Sequence, residues 1–487
     1  MTTRAGAILF FATFIQLVLA LRIGYFQIFK HKDCKEKLIR ESKAIVSIQT
    51  KRGIIYDRNF RVLAATVNGK REYPRGSLAG NLLGFVSTDG RGLEGIEYKF
   101  DEELSGKAGL NVYGKTARGN IYPHPGYERR NPIPSKDVIL TIDTDIQEIA
   151  EYCLKNKLRE VGGKSGTVIV LMPKTGEILA MATEPCQNPG MKRGSDPWIW
   201  RNRAIQDQFE PGSVFKLVTI TGLLNGDLIK ENDIVEDGKG FTVIQNLYFE
   251  DEAEHGPLTF EQAISISSNV AFIKLGKLLG KDNLYETARS LGFGSPTGIE
   301  LPGEAKGYLP PPQTWTALKA ANIAFGQGVS CTALQLTMAY GAIANDGILL
   351  KPMIVKEIIE SGKSIYQSSK EEVRIVASEQ TAKRIRDLLA VVVERGTGTL
   401  AKLNGIKVAG KTGTAQKWEN DGYSSNYITS FIGFFPGDSP QILITCIIDE
   451  PQTLRSGGAI CAPLFKDIAE GILRLKQYRE MIATCAL

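Results

Sequence analysis

The sequence has 487 residues, of which 43% are hydrophobic and 23% are charged, and its formal net charge is +6. This composition is typical of a folded protein, and the length predicts about three domains. The mild positive charge suits a protein that works beside an anionic membrane or wall, but it is not concentrated enough to predict nucleic-acid binding. The seven cysteines form no C-x-x-C pair and the three histidines lie far apart, so we predict no disulfide framework and no zinc ribbon. We predict no metal and no cofactor, with a metal site assembled only in space as the alternative.

The N-terminal segment is strongly apolar. Residues 5–21 contain only two polar side chains, and about 17 residues at about 1.5 Å each reach the lower limit for crossing a bilayer. Because the apolar character continues to Phe26, we predict an uncleaved membrane anchor over residues 5–26, after a cytoplasmic tail of residues 1–4. A cleaved signal peptide that ends near Ala20 is the alternative.

Basic residues lie mainly on the C-terminal side of this segment. Only Arg4 precedes it, whereas six follow it, namely Arg22, Lys30, Lys32, Lys35, Lys37 and Arg40. The positive-inside rule by itself would therefore place the following domains in the cytoplasm.

Two globular regions are predicted after the anchor. Residues 52–59 (RGIIYDRN) begin a pattern of strand, polar turn and strand. Residues 137–143 form a predicted strand that leads into a helical stretch over residues 146–158, and we place the start of the larger domain there. The predicted organisation is a small domain over residues 27–136 and a larger one over residues 137–480.

A β-hairpin is predicted early in the larger domain. Two apolar runs, residues 166–172 and 177–182, flank the sequence Pro173-Lys174-Thr175-Gly176. This segment contains a K-T-G tripeptide. Because Pro173 and Gly176 favour a turn, we interpret Lys174 as part of that turn and not as a substrate-binding residue.

The residues Glu210-Pro211-Gly212-Ser213-Val214-Phe215-Lys216 form the most informative stretch of the chain. Pro and Gly interrupt the preceding structure and an apolar run with helical character follows, so Ser213 is predicted to lie at a helix start. A serine and a lysine three positions apart lie on one helix face. Ser213 is then a candidate nucleophile, and Lys216 a candidate base if burial or a nearby positive charge lowers its pKa. The alternative is a helix cap followed by a surface lysine.

Two further motifs follow in order. Ser267-Ser268-Asn269 precedes a helical stretch, and Lys411-Thr412-Gly413-Thr414 continues a predicted strand. A second S-x-N, at Ser424-Ser425-Asn426, lies in a polar stretch that we predict to be a loop. Residues 428–435 and 442–448 are predicted antiparallel strands, and residues 463–475 a C-terminal amphipathic helix with Pro463 at its first position.

The order S-x-x-K, S-x-N, K-T-G is the signature of penicillin-recognising serine acyltransferases. On these motifs, and on the pieces at residues 52–59 and 92–97, the chain resembles the class B penicillin-binding proteins, which are monofunctional peptidoglycan D,D-transpeptidases. The resemblance implies an α/β (α+β) transpeptidase fold, with a central antiparallel sheet sandwiched by helices, a small N-terminal pedestal and one N-terminal transmembrane helix. It also implies a bacterial single-pass membrane protein with its catalytic domain outside the cytoplasm, against the charge rule.

The resemblance assigns roles to the motif residues. Ser213 would attack the carbonyl of the penultimate D-Ala of a stem peptide, and Lys216 would take the serine proton. Lys411 would be the positive neighbour that lowers the pKa of Lys216, Ser267 would relay the proton to the leaving amine, and Asn269 would bind the substrate amide and Lys216.

The K-T-G-T segment is assigned to substrate binding. The hydroxyls of Thr412 and Thr414, together with Lys411, would bind the terminal carboxylate. Backbone N–H groups of Ser213 and Thr414 would form the oxyanion hole. Gly413 would let the strand backbone approach the substrate without an intervening side chain.

The partners that the resemblance implies are stem peptides ending in D-Ala-D-Ala, β-lactam antibiotics, the membrane, a SEDS-family glycosyltransferase and other division or elongation proteins. One departure affects partner docking. Relatives commonly carry a long insertion between the segments that correspond to Ala64 and Tyr73, and here these residues are nearly adjacent. We therefore expect a small pedestal.

Other functions remain open from sequence alone. A D,D-carboxypeptidase or β-lactamase would use water to resolve the acyl-enzyme, a membrane-anchored β-lactam sensor would acylate only to signal, and a scaffold would not turn over. The anchor and pedestal argue against the hydrolases. We expect no room for a signalling domain in the short tail, and the intact motifs argue against the scaffold.

Overall fold

The computed structural model describes residues 2–116, 118–191, 196–238, 240–251, 253–419 and 422–484. The chain divides into two compact units, one formed by residues 1–51 and 105–135 and the other by residues 52–104 and 136–487.

The α-helices are, in chain order, α1 (Thr2–Ile28), α2 (His31–Glu41), α3 (Gly80–Leu83), α4 (Gly95–Lys99), α5 (Asp101–Ser105), α6 (Thr144–Val161), α7 (Arg203–Gln206), α8 (Lys216–Asn225), α9 (Phe260–Ile266), α10 (Asn269–Leu279), α11 (Lys281–Ser290), α12 (Ala317–Ala324), α13 (Ala333–Ala344), α14 (Glu379–Arg395), α15 (Gly457–Arg474) and α16 (Lys476–Thr484). The 3-10 helices are Pro197–Trp200, Gly212–Phe215, Pro312–Thr314 and Thr399–Ala401.

The strands are β1 (Lys43–Ile48), β2 (Ile55–Tyr56), β3 (Val62–Val67), β4 (Lys70–Glu72), β5 (Gly109–Lys115), β6 (Ile121–Pro123), β7 (Arg129–Arg130), β8 (Lys136–Leu140), β9 (Ser165–Met172), β10 (Glu177–Glu184), β11 (Ile234–Gly238), β12 (Phe241–Ile244), β13 (Leu247–Glu250), β14 (Gly256–Thr259), β15 (Ile348–Leu350), β16 (Val355–Glu360), β17 (Lys363–Gln367), β18 (Glu372–Ile375), β19 (Ala409–Glu419), β20 (Gly422–Phe435) and β21 (Ile442–Asp449).

The smaller unit contains the apolar N-terminal helix and a four-stranded sheet. Over Thr3–Ile28, helix α1 is long and apolar enough to cross a membrane, and its side chains are not buried by the rest of the protein. Strand β1 pairs antiparallel with β5, which also pairs with β6 and β7. The predicted anchor over residues 5–26 therefore falls within one continuous helix.

The larger unit is built around a five-stranded antiparallel sheet in the order β10-β9-β21-β20-β19. Side chains alternate across its central strands, as expected for period two. On β21, Ile444 and Ile448 pack with α6 and α15, whereas Leu443 and Ile447 belong to the core on the opposite face, with Phe215. Both faces are covered, so the predicted sheet sandwiched by helices is confirmed.

A second, six-stranded sheet joins early and late parts of the chain in the order β17-β16-β8-β2-β3-β4. Strand β2 runs parallel to β8, so residues near 55 lie beside residues near 138. Residues 52–104, which the sequence analysis assigned to the pedestal, therefore lie in the larger compact unit. The predicted boundary between residues 136 and 137 does not coincide with the division into units.

Two local predictions were wrong. The last long helix begins at Gly457 and contains Pro463 in its interior, because the side chain of Ser456 caps it by accepting a hydrogen bond from the Ala459 N–H at 3.2 Å. Residues 424–426 lie within strand β20 and not in a loop. They bulge there, because only Lys417 lies opposite them between two paired positions of β19 and β20.

Candidate active site

The segment that carries Ser213 is a 3-10 turn over Gly212–Phe215, from which α8 continues at Lys216. Gly212 has a φ of +57°, and its N–H donates a hydrogen bond to the carbonyl of Gly326 at 3.1 Å. A Cβ at Gly326 would lie 2.1 Å from the Gly212 carbonyl oxygen, so only glycine allows this approach. Ser213 is half-buried on the turn that this contact fixes.

Two side chains hold the same turn from other directions. The Tyr340 hydroxyl donates to the carbonyl of Val214 at 2.8 Å from within the core. The carboxylate of Glu210 accepts from the Gly328 N–H at 2.8 Å and from the Tyr423 hydroxyl at 3.1 Å. Burial raises the pKa of Glu210, against these two hydrogen bonds. The turn is thus supported by segments far apart in the sequence.

Lys216 is fully buried and directed at the S-x-N motif. Its Nζ donates to the Ser267 carbonyl at 2.6 Å, to Ser267 Oγ at 3.2 Å and to Asn269 Oδ1 at 2.8 Å. Burial and the nearby ammonium of Lys411 lower the pKa of Lys216 well below its ordinary value, and Asp251 opposes them. The alternative of a surface lysine after a helix cap is therefore wrong.

The S-x-N motif lies at the junction between helices α9 and α10. Ser267 ends α9 in the left-handed region with a φ of +64°, and Ser268 caps α10 by accepting from the Ala271 N–H at 2.9 Å. Asn269 is the first residue of α10. This junction turns the side chains of Ser267 and Asn269 toward Lys216, which contacts both.

Lys411 reaches the same serine from strand β19. Its Nζ donates to Ser267 Oγ at 2.8 Å and to the Thr412 carbonyl at 3.3 Å. The side chain is fully buried, and burial lowers the pKa of Lys411 to about 7. The Ser267 hydroxyl therefore lies between two buried lysine amines, and it can pass a proton along this line.

The two threonines of K-T-G-T have different surroundings. Thr412 is buried and its hydroxyl lies 2.6 Å from that of Thr397. Thr414 is exposed and accepts from the Gly457 N–H at 3.2 Å. The hydroxyl of Thr414 is therefore open to a ligand, whereas that of Thr412 already shares a hydrogen bond with a neighbouring loop.

Gly413 is required for a reason other than the one expected. A Cβ there would lie 2.4 Å from Ser430 Oγ and 2.9 Å from Val214 Cγ1. The space is filled by the protein itself, so glycine lets β19 pack against the turn that bears Ser213. Unobstructed approach of the substrate to this strand stays a prediction.

The other K-T-G lies in the predicted hairpin turn. Its ammonium, on Lys174, forms an ion pair with Asp346, and the Gly176 N–H donates to the Met172 carbonyl at 2.9 Å. Strands β9 and β10 flank it in antiparallel pairing. The interpretation of Lys174 as turn chemistry is confirmed.

The sequence analysis missed Asp251 and Thr397 as neighbours of the motifs. Asp251 falls in a polar, acidic stretch between residues 238 and 256 that carries no motif, and only the fold brings it to Ser268. Thr397 follows α14 and is likewise distant in sequence from its partner. Within the described ranges, no group of three or more His, Cys, Asp and Glu side chains could hold a metal ion.

Comparison with known proteins agrees with this geometry. Residues 166–470 match the penicillin binding protein transpeptidase domain. Stage V sporulation protein D of Bacillus subtilis is 34% identical over 463 residues, which cover 93% of this chain and 71% of that protein. The probable peptidoglycan D,D-transpeptidase PbpC of Pseudomonas aeruginosa is 35% identical over 408 residues, which cover 83% of this chain and 70% of that protein.

A solved structure has the same fold over most of its length. The crystal structure of penicillin binding protein 3 from Mycobacterium tuberculosis is 32% identical, with a TM-score of 0.80, and the match covers 90% of this chain and 98% of that one. Structures of the same protein complexed with aztreonam and with ampicillin match equally well. The chain therefore belongs to the penicillin-binding protein transpeptidase family, as its motifs indicated.

Proposed function

We propose that this chain is a peptidoglycan D,D-transpeptidase that cross-links stem peptides through an acyl-enzyme on Ser213 and is acylated there by β-lactams. One observation carries the proposal. Two buried lysine amines, on Lys216 and Lys411, share the hydroxyl of Ser267 beside the turn that bears Ser213. Such an arrangement supports proton transfer without a histidine or a metal ion.

In the first half-reaction, Ser213 Oγ attacks the carbonyl carbon of the penultimate D-Ala and loses its proton to the neutral amine of Lys216. The bond to the terminal D-Ala nitrogen then breaks. Ser267 relays a proton to that nitrogen, and D-alanine leaves with a neutral or protonated amine. Burial and the nearby Lys411 lower the pKa of Lys216 well below its ordinary value, which favours the neutral amine that accepts this proton.

The substrate is held by the edge of β19. Lys411 and the exposed hydroxyl of Thr414 are suited to the terminal carboxylate. A bound carboxylate favours the ammonium form of Lys411, so the substrate itself restores the charge that burial disfavours. The hydroxyl of Thr412 is bonded to that of Thr397 and supports this edge from within the protein. The backbone N–H groups of Ser213 and Thr414 stabilise the oxyanion.

In the second half-reaction, an amine of a neighbouring stem peptide attacks the acyl-enzyme and releases Ser213. Hydrolysis by water would make the protein a carboxypeptidase or a β-lactamase. The name of the Pseudomonas relative, a probable D,D-transpeptidase, favours the amine. The helix over Thr3–Ile28 supports a single-pass membrane anchor. The location of the catalytic unit outside the cytoplasm and a SEDS-family glycosyltransferase partner are proposed from the family resemblance alone.

The choice between amine and water is tested on the full chain in detergent. The protein is incubated with a depsipeptide or peptide ending in D-Ala-D-Ala, with and without a D-amino acid as acceptor, and the products are separated by mass spectrometry. We expect the acceptor to be incorporated and Ser213→Ala to form neither product. If free acid is the sole product at saturating acceptor, the hydrolase alternative is correct.

A further inference from the structure

A carboxylate outside the three motifs contacts the S-x-N junction. Asp251 follows strand β13, and its Oδ2 accepts from Ser268 Oγ at 2.5 Å. Its Oδ1 accepts from the N–H groups of Asn269 and Val270 at 2.6 and 3.2 Å. One carboxylate therefore accepts three hydrogen bonds at the start of the helix that begins with Asn269.

We propose that Asp251 is a positioning residue for the transpeptidase reaction, which fixes the S-x-N junction and balances the charge of the two buried lysines. This inference rests on the proposed function of the site. Asp251 is not itself placed on the substrate, because its oxygens are occupied by Ser268 and by the amides of α10.

The positioning part follows from the helix start. The first N–H groups of a helix have no partner within the helix, and a carboxylate there also interacts favourably with the helix dipole. Asp251 binds two of these N–H groups, and the Ser268 side chain binds a third, that of Ala271. Without the carboxylate, the backbone that directs Asn269 Oδ1 to Lys216 would lose the partners of two amides and of a buried hydroxyl.

The contacts of the preceding strand hold Asp251 in place. Strand β13 pairs with β12 in a hairpin, and Phe249 on β13 makes an edge contact with Phe325 at 6.3 Å between ring centroids. Phe325 ends α12, close to the segment of Gly326 that supports the nucleophile turn. The hairpin is thereby tied to the same framework as Ser213.

The charge part follows from what surrounds Lys216. Lys411 approaches from β19, and Asp251 approaches from the hairpin side through Ser268 and Asn269. Lys411 lowers the pKa of Lys216, together with burial, whereas Asp251 raises it. Replacing Asp251 by asparagine keeps a side chain of similar size but removes this negative charge, so the pKa of Lys216 should fall further.

The test uses the full chain in detergent and measures the second-order rate constant for acylation by a fluorescent penicillin from about pH 5 to about pH 9, a range below the ordinary lysine pKa of about 10.4. We expect Asp251→Asn to lower the rate at pH 7 by about 10- to 100-fold, the cost of hydrogen bonds to a charged group. We also expect the acidic limb of the pH–rate profile of Asp251→Asn, where the acylation rate rises with pH, to move to lower pH. Asp251→Glu should recover part of the rate.

The matched control is Asp233→Asn. Asp233 also accepts a hydrogen bond from a backbone N–H, that of Lys230 at 2.8 Å, but it does not contact the motifs. The acylation rate of Asp233→Asn and its dependence on pH should equal those of the wild type. The proposal is overturned if Asp251→Asn behaves like this control, or if its rate falls with no movement of the acidic limb. Failure of the wild type itself to be labelled would instead contradict the proposed function.

Discussion

The chain contains the tripeptide K-T-G twice, and the two copies differ in every property that matters for chemistry. The copy at residues 174–176 forms a hairpin turn, where the side chain of Lys174 is 37% exposed and pairs with Asp346. The copy at residues 411–413 lies inside strand β19, where Lys411 is fully buried and hydrogen-bonds to Ser267.

This difference shows that surroundings, and not the tripeptide, determine the function. Lys174 is partly exposed and pairs with a carboxylate, so its role is that of an ion pair at a turn. Burial of Lys411 lowers its pKa to about 7, so its proton is exchangeable near neutral pH and its charge responds to a bound carboxylate. The two S-x-N segments also differ, since residues 424–426 form a bulge in β20 whereas residues 267–269 join α9 to α10 beside the two buried lysines.

The largest difference is expected when each lysine is removed. Lys411→Ala should reduce the rate of penicillin acylation by at least about 100-fold, because it removes a charged donor from a preorganised site. Lys174→Ala should change the rate by less than about twofold, since its ion pair is partly exposed. Stopped-flow or gel-based labelling of the two variants measures both rates. Comparable losses in the two would contradict the assignment of the second copy to the site.

The serines of the two S-x-N segments give the next comparison. Ser267→Ala removes the hydroxyl between the two lysine amines, and we expect a loss of about 10- to 100-fold in acylation rate. Ser424→Ala should leave the rate within about twofold of the wild type, because its hydroxyl accepts from the nearby Asn426 N–H at 3.2 Å, within its own strand. The same labelling assay applies. An unaffected Ser267→Ala would exclude a proton relay through this hydroxyl.

A smaller effect is expected on the pH dependence of acylation. The rate should rise with pH on the acidic side, as Lys216 loses its proton, because the neutral amine is the base. Lys411 lowers the pKa of Lys216, so Lys411→Met should move this limb to higher pH, whereas Lys174→Ala should leave it in place. Acylation rates measured across the acidic side of the profile test this prediction. A shift of that side to lower pH in Lys411→Met would contradict the predicted direction.

The smallest effect concerns stability. Lys174→Ala removes a partly exposed ion pair, which typically contributes less than about 1 kcal/mol to the free energy of unfolding. Asp346 keeps its second partner, Arg386, at 2.9 Å. Chemical unfolding of the wild type and of Lys174→Ala measures the difference in the free energy of unfolding. A loss above about 2 kcal/mol would show that Lys174 stabilises the protein by more than a partly exposed ion pair does.

Much of the site was predictable because local patterns determine it. Ser213 and Lys216 are joined by one turn of helix, and the near-continuous apolar runs of β9 and β21 indicate strands that are buried on both faces. Asp251 and Thr397 were not predictable, because nothing in their neighbouring residues indicates a partner that lies at a distant point of the chain. The packing of Gly413 against Ser430 and Val214 was not predictable for the same reason, since these residues reach it only in the folded protein.

The division into compact units could not be predicted from the sequence either. Strand β2 contains two residues and pairs in parallel with β8, more than 80 positions away in the chain order Ile55 to Val138. A pairing of this length leaves no periodic signal, so the sequence did not indicate that residues 52–104 lie in the same compact unit as residues 136–487. The bulge at residues 424–426 similarly hid the strand around it, because its polar composition is that of a loop.

The central claim is that Ser213 is the nucleophile, and the most direct test is to locate the covalent adduct. The full chain in detergent is incubated with a fluorescent penicillin, digested and analysed by tandem mass spectrometry. The account predicts a stable penicilloyl group on the peptide that contains Ser213, and none in Ser213→Ala. An adduct on another serine, or persistent labelling of that variant, would contradict it.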